Sequence, residues 1–411
     1  MELLHNAVRA YAWGSRTAIA ELLGKPVPAP HPEAELWLGA HPGGPSKLVE
    51  PDGDEQSLLD VLAADPDGQL GPALAARWGG RLPFLLKVLA ADEPLSLQAH
   101  PSAEQAAAGY AREEAAGIPR DAKNRNYPDP TAKPELICAL TEFHALAGFA
   151  DPERTVRLLR SLDAPGLTHY TELLAGQPDA DGLRALFTTW ITLPQQALGQ
   201  LLPQLLDSCV RQVKDRGEFD LECRTVLELG EAYPGDAGVL AAVLLNRIVL
   251  KPGEAIYLPA GNPHAYLRGT GIEILANSDN VLRCGLTPKH VDVPELLRVL
   301  DFSYGQMPVQ RGDEVAPHHF VYPTPAPEFE LSRLEWPASA GDKVPLHHAG
   351  PQVLICIDGG VTLRRADGVE LPLRRGESAW LAAADPAVDV VPTSAPATVF
   401  RATAGVDSSN N

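Results

Sequence analysis

The stretch LPFLLKVLAADEPLSLQAHPS (residues 82–102) is the most informative part of the sequence. A long apolar run in it, typical of a buried strand, ends in regularly spaced polar side chains. Ser96, Gln98 and His100 occupy every second position. Successive side chains of a strand point to opposite faces, so these three share one face and the apolar residues between them share the other. A buried polar group without a partner costs on the order of 2 kcal/mol. One partner that satisfies an imidazole nitrogen and an amide oxygen together is a metal ion.

Two further apolar strands break their pattern in the same way. Lys133 and Glu135 share a face in AKPELICAL, and His264 and Tyr266 share one in LPAGNPHAYL. A single histidine in a strand is more often a hydrogen-bonded core residue than a ligand, but three interrupted strands favour a common site. Two histidines, one carboxylate and one amide oxygen are a plausible Zn²⁺ set with room for water or substrate. The ligands of this set are Gln98, His100, Glu135 and His264.

The composition is that of a globular protein with an acidic surface. The chain has 411 residues, enough for two or three domains, and 45% of them are hydrophobic. With 34 Lys and Arg against 53 Asp and Glu, the formal net charge is −19. Binding to nucleic acid or to an anionic membrane requires a basic face, so we expect neither. An anionic substrate would therefore need local cations at its site.

Cysteine usage and the lack of targeting signals favour the cytoplasm. The five cysteines show no CxxC spacing and lie among apolar or small neighbours, so we expect buried free thiols. The N-terminus has no basic start followed by an apolar run, and no stretch of 18 apolar residues occurs. No exposed apolar stripe stands out, so we expect a monomer. The tail GVDSSNN (405–411) has nothing to pack against and is expected to fray.

The order of elements predicts a mainly β chain with a helical insertion. Residues 1–150 and 246–320 show short runs with Pro and Gly turns, and are assigned to a first barrel. Residues 151–245 carry apolar side chains at spacings of three and four, which indicates helices. Residues 321–405 return to short, evenly spaced strands.

The two β regions resemble each other. LKPGEAIYLPAGNPHAY (250–266) and LRRGESAWLAAADPAVD (373–389) share a Gly-Glu turn, an alternating strand and a second turn. This similarity predicts two jelly-roll barrels plus an α-helical domain. The second copy has Ala387 near the position of His264, so only the first barrel is expected to carry a metal site.

Several segments together carry a family resemblance. YAWGS, ELWLGAHPGGPS, KPELICAL, LPAGNPHAYL and GIEILANSDNVLRCGLTPKHVDVPELLRVLDF, with the stretch quoted first, resemble type I mannose-6-phosphate isomerases (phosphomannose isomerases). The resemblance is dense over 1–150 and 245–320. It implies a cupin-type metalloenzyme that interconverts mannose 6-phosphate and fructose 6-phosphate and holds one Zn²⁺ per chain.

The resemblance also implies site residues, position by position. Gln98, His100, Glu135 and His264 would be the zinc ligands, and Arg283 the catalytic arginine. One departure is that members often read NHKPE where this chain has TAKPE, so Ala132 replaces a histidine that could help open the sugar ring. The residues placed around the substrate would be Glu273, Lys133, Lys289, Tyr266, Ser96, Lys87 and Trp13.

The isomerisation moves a proton between C1 and C2 through a cis-enediol, so a base must reach carbon. Glu273 and Lys133 are the two candidates. Lys133 could instead only balance charge, and Glu273 could be a structural partner of Arg283 or Lys289. Arg283, Lys289 and Lys87 together could form the cationic pocket that a phosphate requires.

Two other functions remain open. An iron cupin oxygenase usually has three histidines and a carboxylate, whereas this set contains Gln98 and no second histidine two residues after His264. A non-catalytic sugar-phosphate-binding paralogue is the other alternative. The pairs His318–His319 and His347–His348 have no carboxylate partner in the sequence and are interpreted as structural residues.

Overall fold

The computed structural model describes residues 1–50, 53–337, 342–346 and 350–405. The tail from residue 406 and the pair His347–His348 lie outside the described residues. Helices and strands are both abundant within the described ranges, so the chain is a mixed fold rather than a mainly β one. Short helices between the early strands account for the difference, because they add to those of the expected insertion.

The strands and helices have the following bounds. The strands are β1 (Glu2–His5), β2 (Ala7–Arg9), β3 (Glu35–Leu38), β4 (Lys47–Val49), β5 (Glu55–Ser57), β6 (Phe84–Ala91), β7 (Leu97–Ala99), β8 (Glu135–Ala139), β9 (Phe143–Phe149), β10 (Leu245–Leu250), β11 (Ala255–Leu258), β12 (His264–Ala276), β13 (Leu282–Gly285), β14 (Val309–Gln310), β15 (Asp313–Ala316), β16 (His319–Tyr322), β17 (Glu330–Trp336), β18 (Val344–Leu346), β19 (Gln352–Asp358), β20 (Gly360–Arg365), β21 (Glu370–Arg374), β22 (Ser378–Leu381), β23 (Val388–Pro392) and β24 (Ala397–Thr403). The α-helices are α1 (Ala18–Leu22), α2 (Leu58–Ala64), α3 (Pro66–Leu70), α4 (Pro72–Trp78), α5 (Ala103–Ala115), α6 (Pro152–Ser161), α7 (Thr168–Gly176), α8 (Ala180–Ile191), α9 (Gln195–Asp215), α10 (Asp220–Ala232), α11 (Gly238–Ala242) and α12 (Val293–Val299).

The largest sheet is antiparallel and carries the candidate site. Its main path is β14-β11-β8-β12-β6-β3-β2, and β7, β9, β10 and β13 join it through β12. All eight residues of β6 are buried, so this strand is covered on both faces. Such a strand reads as a continuous apolar run, in which Lys87 is the single charged residue.

Strand β12 is the centre of this sheet. Its first part pairs with β7 and β9, and its second part pairs with β6 and β8. The register shifts between Tyr266 and Arg268, and Gly269 follows with φ +123°. This irregularity lets one strand contribute His264 and Glu273 to the same region.

Gly269→Ala is expected to lower the free energy of unfolding by about 2 kcal/mol or more. A Cβ at this position would lie 2.6 Å from the carbonyl oxygen of Glu142, and φ is positive. Urea unfolding followed by circular dichroism measures the change. Gly199→Ala in α9 is the control, since its Cβ meets open space, and it should stabilise by about 0.5 kcal/mol or more. Equal effects of the two substitutions would contradict the strain argument.

Helices α6 to α11 form a layer that packs against β7 and β13. The apolar core of this layer includes Leu97 and Ala99 from β7 and Leu282 and Cys284 from β13. The apolar face of β7 is therefore covered by the helical segment. Gln98, which lies between Leu97 and Ala99, faces the opposite way, towards the candidate site.

The C-terminal strands form a second pair of sheets around their own core. One sheet has the order β15-β16-β17-β24-β19-β22-β1-β4-β5, and the other has β18-β23-β20-β21. Strands β1, β4 and β5 thus belong to the same sheet as C-terminal strands, which β1 joins by pairing with β22, although 1–150 was assigned to the first barrel. This sheet is joined by hydrogen bonds between residues near opposite ends of the sequence, such as those of β1 with β22.

Candidate metal centre and active site

Three buried side chains bring their donor atoms together between β7, β8 and β12. The Nε2 atom of His100 lies 3.2 Å from one carboxylate oxygen of Glu135, and the Nε2 atom of His264 lies 3.4 Å from the other. One donor atom of each residue lies within 4.8 Å of the others. Each side chain is at most 2% exposed. Water therefore has little access to these atoms.

The Nδ1 atoms of both imidazole rings, which point away from Glu135, are hydrogen-bonded to backbone carbonyl oxygens. Nδ1 of His100 lies 2.8 Å from the carbonyl oxygen of Asn280, and Nδ1 of His264 lies 3.0 Å from that of Asn262. A carbonyl oxygen can only accept a hydrogen bond, so Nδ1 carries the proton in both rings. In the neutral ring the Nε2 lone pair then points at Glu135.

This arrangement fits a bound cation. Nε2 of His100 and Oε2 of Glu135 are buried and make no hydrogen bond to any described residue. Two lone pairs and a carboxylate facing each other repel unless a positive charge lies between them. The side chains present therefore suit a metal ion with nitrogen and oxygen ligands.

Gln98 borders the same centre. It lies opposite His264 in the β7–β12 pairing, and its Nε2 atom lies 3.4 Å from Nε2 of His264. The two ends of an amide are interchanged by a half-turn of the side chain, which would present Oε1 instead. Gln98 is thus placed where a fourth ligand would be.

Charges near the centre keep Glu135 ionised and His100 neutral. Burial lowers the pKa of His100 to about 4, although Glu135 opposes this change. Burial alone would raise the pKa of Glu135, but its contacts with His100 and the charge of Lys133 hold it well below the usual value. Nζ of Lys133 lies 3.2 Å from Oε1 of Glu135. These are the protonation states that metal binding requires.

Lys87 and Glu273 form a second buried cluster beside the metal centre, together with Glu35. Nζ of Lys87 lies 3.2 Å from Oε1 of Glu35 and 3.1 Å from Oε2 of Glu273. Glu273 therefore pairs with Lys87 rather than with Arg283 or Lys289. Burial raises the pKa of Glu273, whereas the positive charge of Lys87 opposes that shift.

Arg283 and Lys289, two of the three cations predicted for a phosphate pocket, lie close enough for the charge of Arg283 to act on Lys289. Arg283 lies opposite Gln98 in the β7–β13 pairing and is half-buried. Burial lowers the pKa of Arg283, and burial together with the charge of Arg283 lowers that of the exposed Lys289. Neither side chain has an ion-pair partner in the described part of the chain. Lys87 does not add an unpaired positive charge to Arg283 and Lys289, because it forms ion pairs with Glu35 and Glu273.

The other predicted substrate residues lie around these clusters. Tyr266 is buried, and its ring contacts those of Phe143 and His264 at centroid distances of 5.3 and 5.9 Å. Its hydroxyl group lies near Glu273, and burial together with the charge of Glu273 raises the pKa of Tyr266. Trp13 packs against the apolar cluster that contains Tyr266. Ser96 is half-buried and directly precedes β7.

Sequence reasoning missed Glu35 and Asn280. Glu35 was visible as a charge at the start of the otherwise apolar segment ELWL, which is wholly buried as β3. Asn280 is fully buried; its amide donates to the carbonyl oxygens of Asp129 (2.8 Å) and Thr131 (2.7 Å) while its own carbonyl orients His100. No local pattern marks Asn280, because its partners are far away in sequence.

A pair that was not predicted lines a neighbouring cavity. Nε2 of His41 lies 3.2 Å from Oδ1 of Asp279, and Nδ1 of His41 accepts a hydrogen bond from the backbone of Gly43 at 3.0 Å. This cavity of about 500 Å³ is also lined by Asp129 and Arg81. The pKa of Asp279 is lowered, chiefly by the hydrogen bond from His41.

Comparisons with known proteins agree with this geometry. The model of the phosphomannose isomerase type I catalytic domain matches residues 1–151. Mannose-6-phosphate isomerase from Escherichia coli (strain K12) is 40% identical over 398 residues, which cover 95% of this chain and 97% of that protein. A mutant phosphomannose isomerase from Salmonella typhimurium has a TM-score of 0.90 at 36% identity, covering 99% of this chain and 100% of that one.

A further solved structure bears on the metal. A crystal structure of mannose 6-phosphate isomerase bound with zinc and yttrium matches with a TM-score of 0.89 at 36% identity, over 99% of this chain and 100% of that one. Among the described helices, none is both long enough and apolar enough to cross a membrane.

Proposed function

Because the chain belongs to the type I phosphomannose isomerase family, we propose that it interconverts D-mannose 6-phosphate and D-fructose 6-phosphate at the buried centre of His100, Glu135 and His264. The observation that carries this proposal is the convergence of the Nε2 atoms of His100 and His264 on one buried carboxylate, at 3.2 and 3.4 Å. Among these atoms, Nε2 of His100 and Oε2 of Glu135 make no hydrogen bond to any described residue.

We propose one Zn²⁺ per chain, held by Gln98, His100, Glu135 and His264. The nitrogen and oxygen donors of this set suit zinc, and the single carboxylate leaves the site with net positive charge. Zinc held there would polarise the sugar carbonyl and stabilise negative charge that develops on the substrate oxygens.

The proton-transfer roles follow from the contacts of the two candidates. Nζ of Lys133 lies 3.2 Å from the Glu135 carboxylate, and an ammonium group can only donate hydrogen bonds. Glu273 is a buried carboxylate that can accept a proton. We therefore assign Glu273 to take the proton from C2 of the aldose and return it to C1, and Lys133 to donate towards a substrate oxygen.

Arg283 and Lys289 are assigned to the negative charge of the substrate. Their positive charges lie together without a carboxylate partner among the described residues, in a chain whose net charge is −19. A guanidinium group binds planar or phosphate oxygens in two places at once, while an ammonium acts as a point charge. The local pair thus offsets the repulsion that the acidic surface exerts on a sugar phosphate.

The alternative function, a sugar-phosphate-binding protein without catalysis, rests only on Ala132 and is not favoured by the near-full-length match to mannose-6-phosphate isomerase. If the histidine at this position in relatives opens the sugar ring, its loss could slow turnover while binding persists. Activity on mannose 6-phosphate decides between the two. The set of Gln98, two histidines and one carboxylate does not favour an iron oxygenase.

The remaining assignments are also proposals. We propose that the large sheet of 1–150 and 246–320 and the C-terminal strands of 321–405 are two cupin-like barrels, with 151–245 as a helical insertion. The five cysteines are free and buried, which supports a reducing compartment such as the cytoplasm. We propose a monomer that binds a small sugar phosphate.

The function is tested by a coupled assay of the purified protein with mannose 6-phosphate, in which fructose 6-phosphate is measured. We expect EDTA to abolish activity and added Zn²⁺ to restore it. Mannose 6-phosphate that binds in calorimetry but is not converted by the zinc-loaded protein would support the binding protein instead. Activity that survives complete metal removal would contradict the proposed centre.

A further inference from the structure

Glu35, Lys87 and Glu273 form a closed buried cluster beside the metal centre. Each of these three side chains is less than 10% exposed. The two oxygens of Glu35 have separate partners, since Oε1 meets Lys87 at 3.2 Å and Oε2 accepts from the indole of Trp37 at 2.8 Å. Nζ of Lys87 also lies 5.5 Å from the centre of the Trp37 ring.

The strand pairing holds this cluster in place. Strands β3, β6 and β12 are neighbours, and Lys87 lies directly opposite Trp37 on one side and Glu273 on the other. Burial would lower the pKa of Lys87, but the charges of Glu273 and Glu35 raise it, so Lys87 stays an ammonium ion. A buried ammonium between two carboxylates is fixed in position, because moving it leaves an unpaired charge.

Lys87 contacts both carboxylates, and one of them, Glu273, is the proposed proton acceptor. Oε2 of Glu273 accepts a hydrogen bond from Nζ of Lys87 at 3.1 Å, so the position of Lys87 influences the orientation of this carboxylate. Lys87 has a long flexible side chain, and its position in turn depends on Glu35. Glu35 itself is fixed by Trp37 and makes no contact that would require it to touch the substrate.

We propose that Glu35 is a positioning residue, which acts through Lys87 to hold Glu273 in the orientation that proton transfer requires. This inference rests on the proposed isomerase function. The proposal also gives Lys87 a role other than phosphate binding, because Lys87 bridges the carboxylates of Glu35 and Glu273. Loss of Glu35 would free Lys87 to swing fully onto Glu273 or towards the substrate.

The first test is Glu35→Gln, which keeps the shape of the side chain and removes its charge. We expect kcat for mannose 6-phosphate to fall by about tenfold, while KM stays within about twofold, because substrate binding does not involve Glu35. Zinc content should equal that of the wild type. Glu33→Gln is the matched control, since Glu33 is a partly buried carboxylate two residues earlier that pairs with the exposed Lys25 at 3.4 Å and does not contact Lys87.

Glu35→Asp is a second, more conservative variant, which tests the proposal even if Glu35→Gln does not fold. It keeps the charge but withdraws the carboxylate by one methylene, so its kcat should lie between those of the wild type and Glu35→Gln. Thermal unfolding of both variants shows whether they are folded at the assay temperature. An unchanged kcat in folded Glu35→Gln would overturn the proposal.

A double-mutant cycle with Lys87→Met separates positioning from a general structural effect. If Glu35 acts through Lys87, adding Glu35→Gln to Lys87→Met should change kcat by less than about twofold. Losses that multiply in the double variant would contradict the proposal. Failure of the proposed function itself is distinguishable, because the zinc-loaded wild type would then show no conversion at all.

Discussion

Arg283→Ala is expected to lower kcat for mannose 6-phosphate by about 100-fold or more, while zinc remains bound at its wild-type content. Arg283 lies opposite Gln98 across β7 and β13, next to the metal centre. It is half-buried and has no ion-pair partner among the described residues, so its charge is available to the substrate. A positive group fixed in a partly dry site stabilises developing negative charge more than a solvated one would.

The measurement combines steady-state kinetics with metal analysis. Arg283→Lys keeps the charge but loses the planar fork, and we expect it to recover only part of the lost activity. Arg298→Ala is the matched control, because Arg298 is an exposed arginine of α12 that pairs with Glu295. It should leave kcat unchanged. Turnover of Arg283→Ala close to that of the wild type would remove Arg283 from the catalytic group.

His264→Ala is expected to lower zinc affinity by at least about 100-fold, since even the loss of an outer partner of a metal ligand costs 10- to 100-fold. The isolated protein should then contain far less than one zinc per chain and show almost no isomerase activity. The Nε2 atom of His264 lies 3.4 Å from Glu135, and its Nδ1 atom is already used by Asn262. No other imidazole of the described core faces Glu135 except that of His100.

Metal content is measured by mass spectrometry after dialysis against a buffer without zinc. His169→Ala is the control, because His169 is exposed on α7, far along the chain from the cluster. Full zinc content in His264→Ala would exclude His264 from the ligand set. A protein that loses zinc but keeps its melting behaviour would show that the metal serves chemistry more than folding.

Local alternation was the signal that led from the sequence to the proposed metal ligands. Gln98, Glu135 and His264 each interrupt an apolar strand. Because side chains alternate between the two faces of a strand, the sequence indicates on which face each of them lies. The structure then brings these faces together. The prediction that Lys133 shares a face with Glu135 follows from the same rule, and the two side chains lie 3.2 Å apart.

The partners of the charged residues were not predictable in this way. Glu273 was weighed as a partner of Arg283 or Lys289, yet it pairs with Lys87. Lys87 was considered as a phosphate ligand, yet it forms buried ion pairs with Glu35 and Glu273. These pairs join residues 52 and 186 positions apart, so no local pattern could assign them.

The strand patterns were enough to propose the chemical types of the candidate site: two imidazoles, an amide and a carboxylate on polar faces of buried strands, with an arginine and a lysine nearby. Only the packing of the whole chain makes Asn280 orient His100, places Lys87 between Glu35 and Glu273, and brings β1 into the C-terminal sheet. The reason is physical. Alternation is a property of one strand, whereas register and strand order result from burying all strands at once.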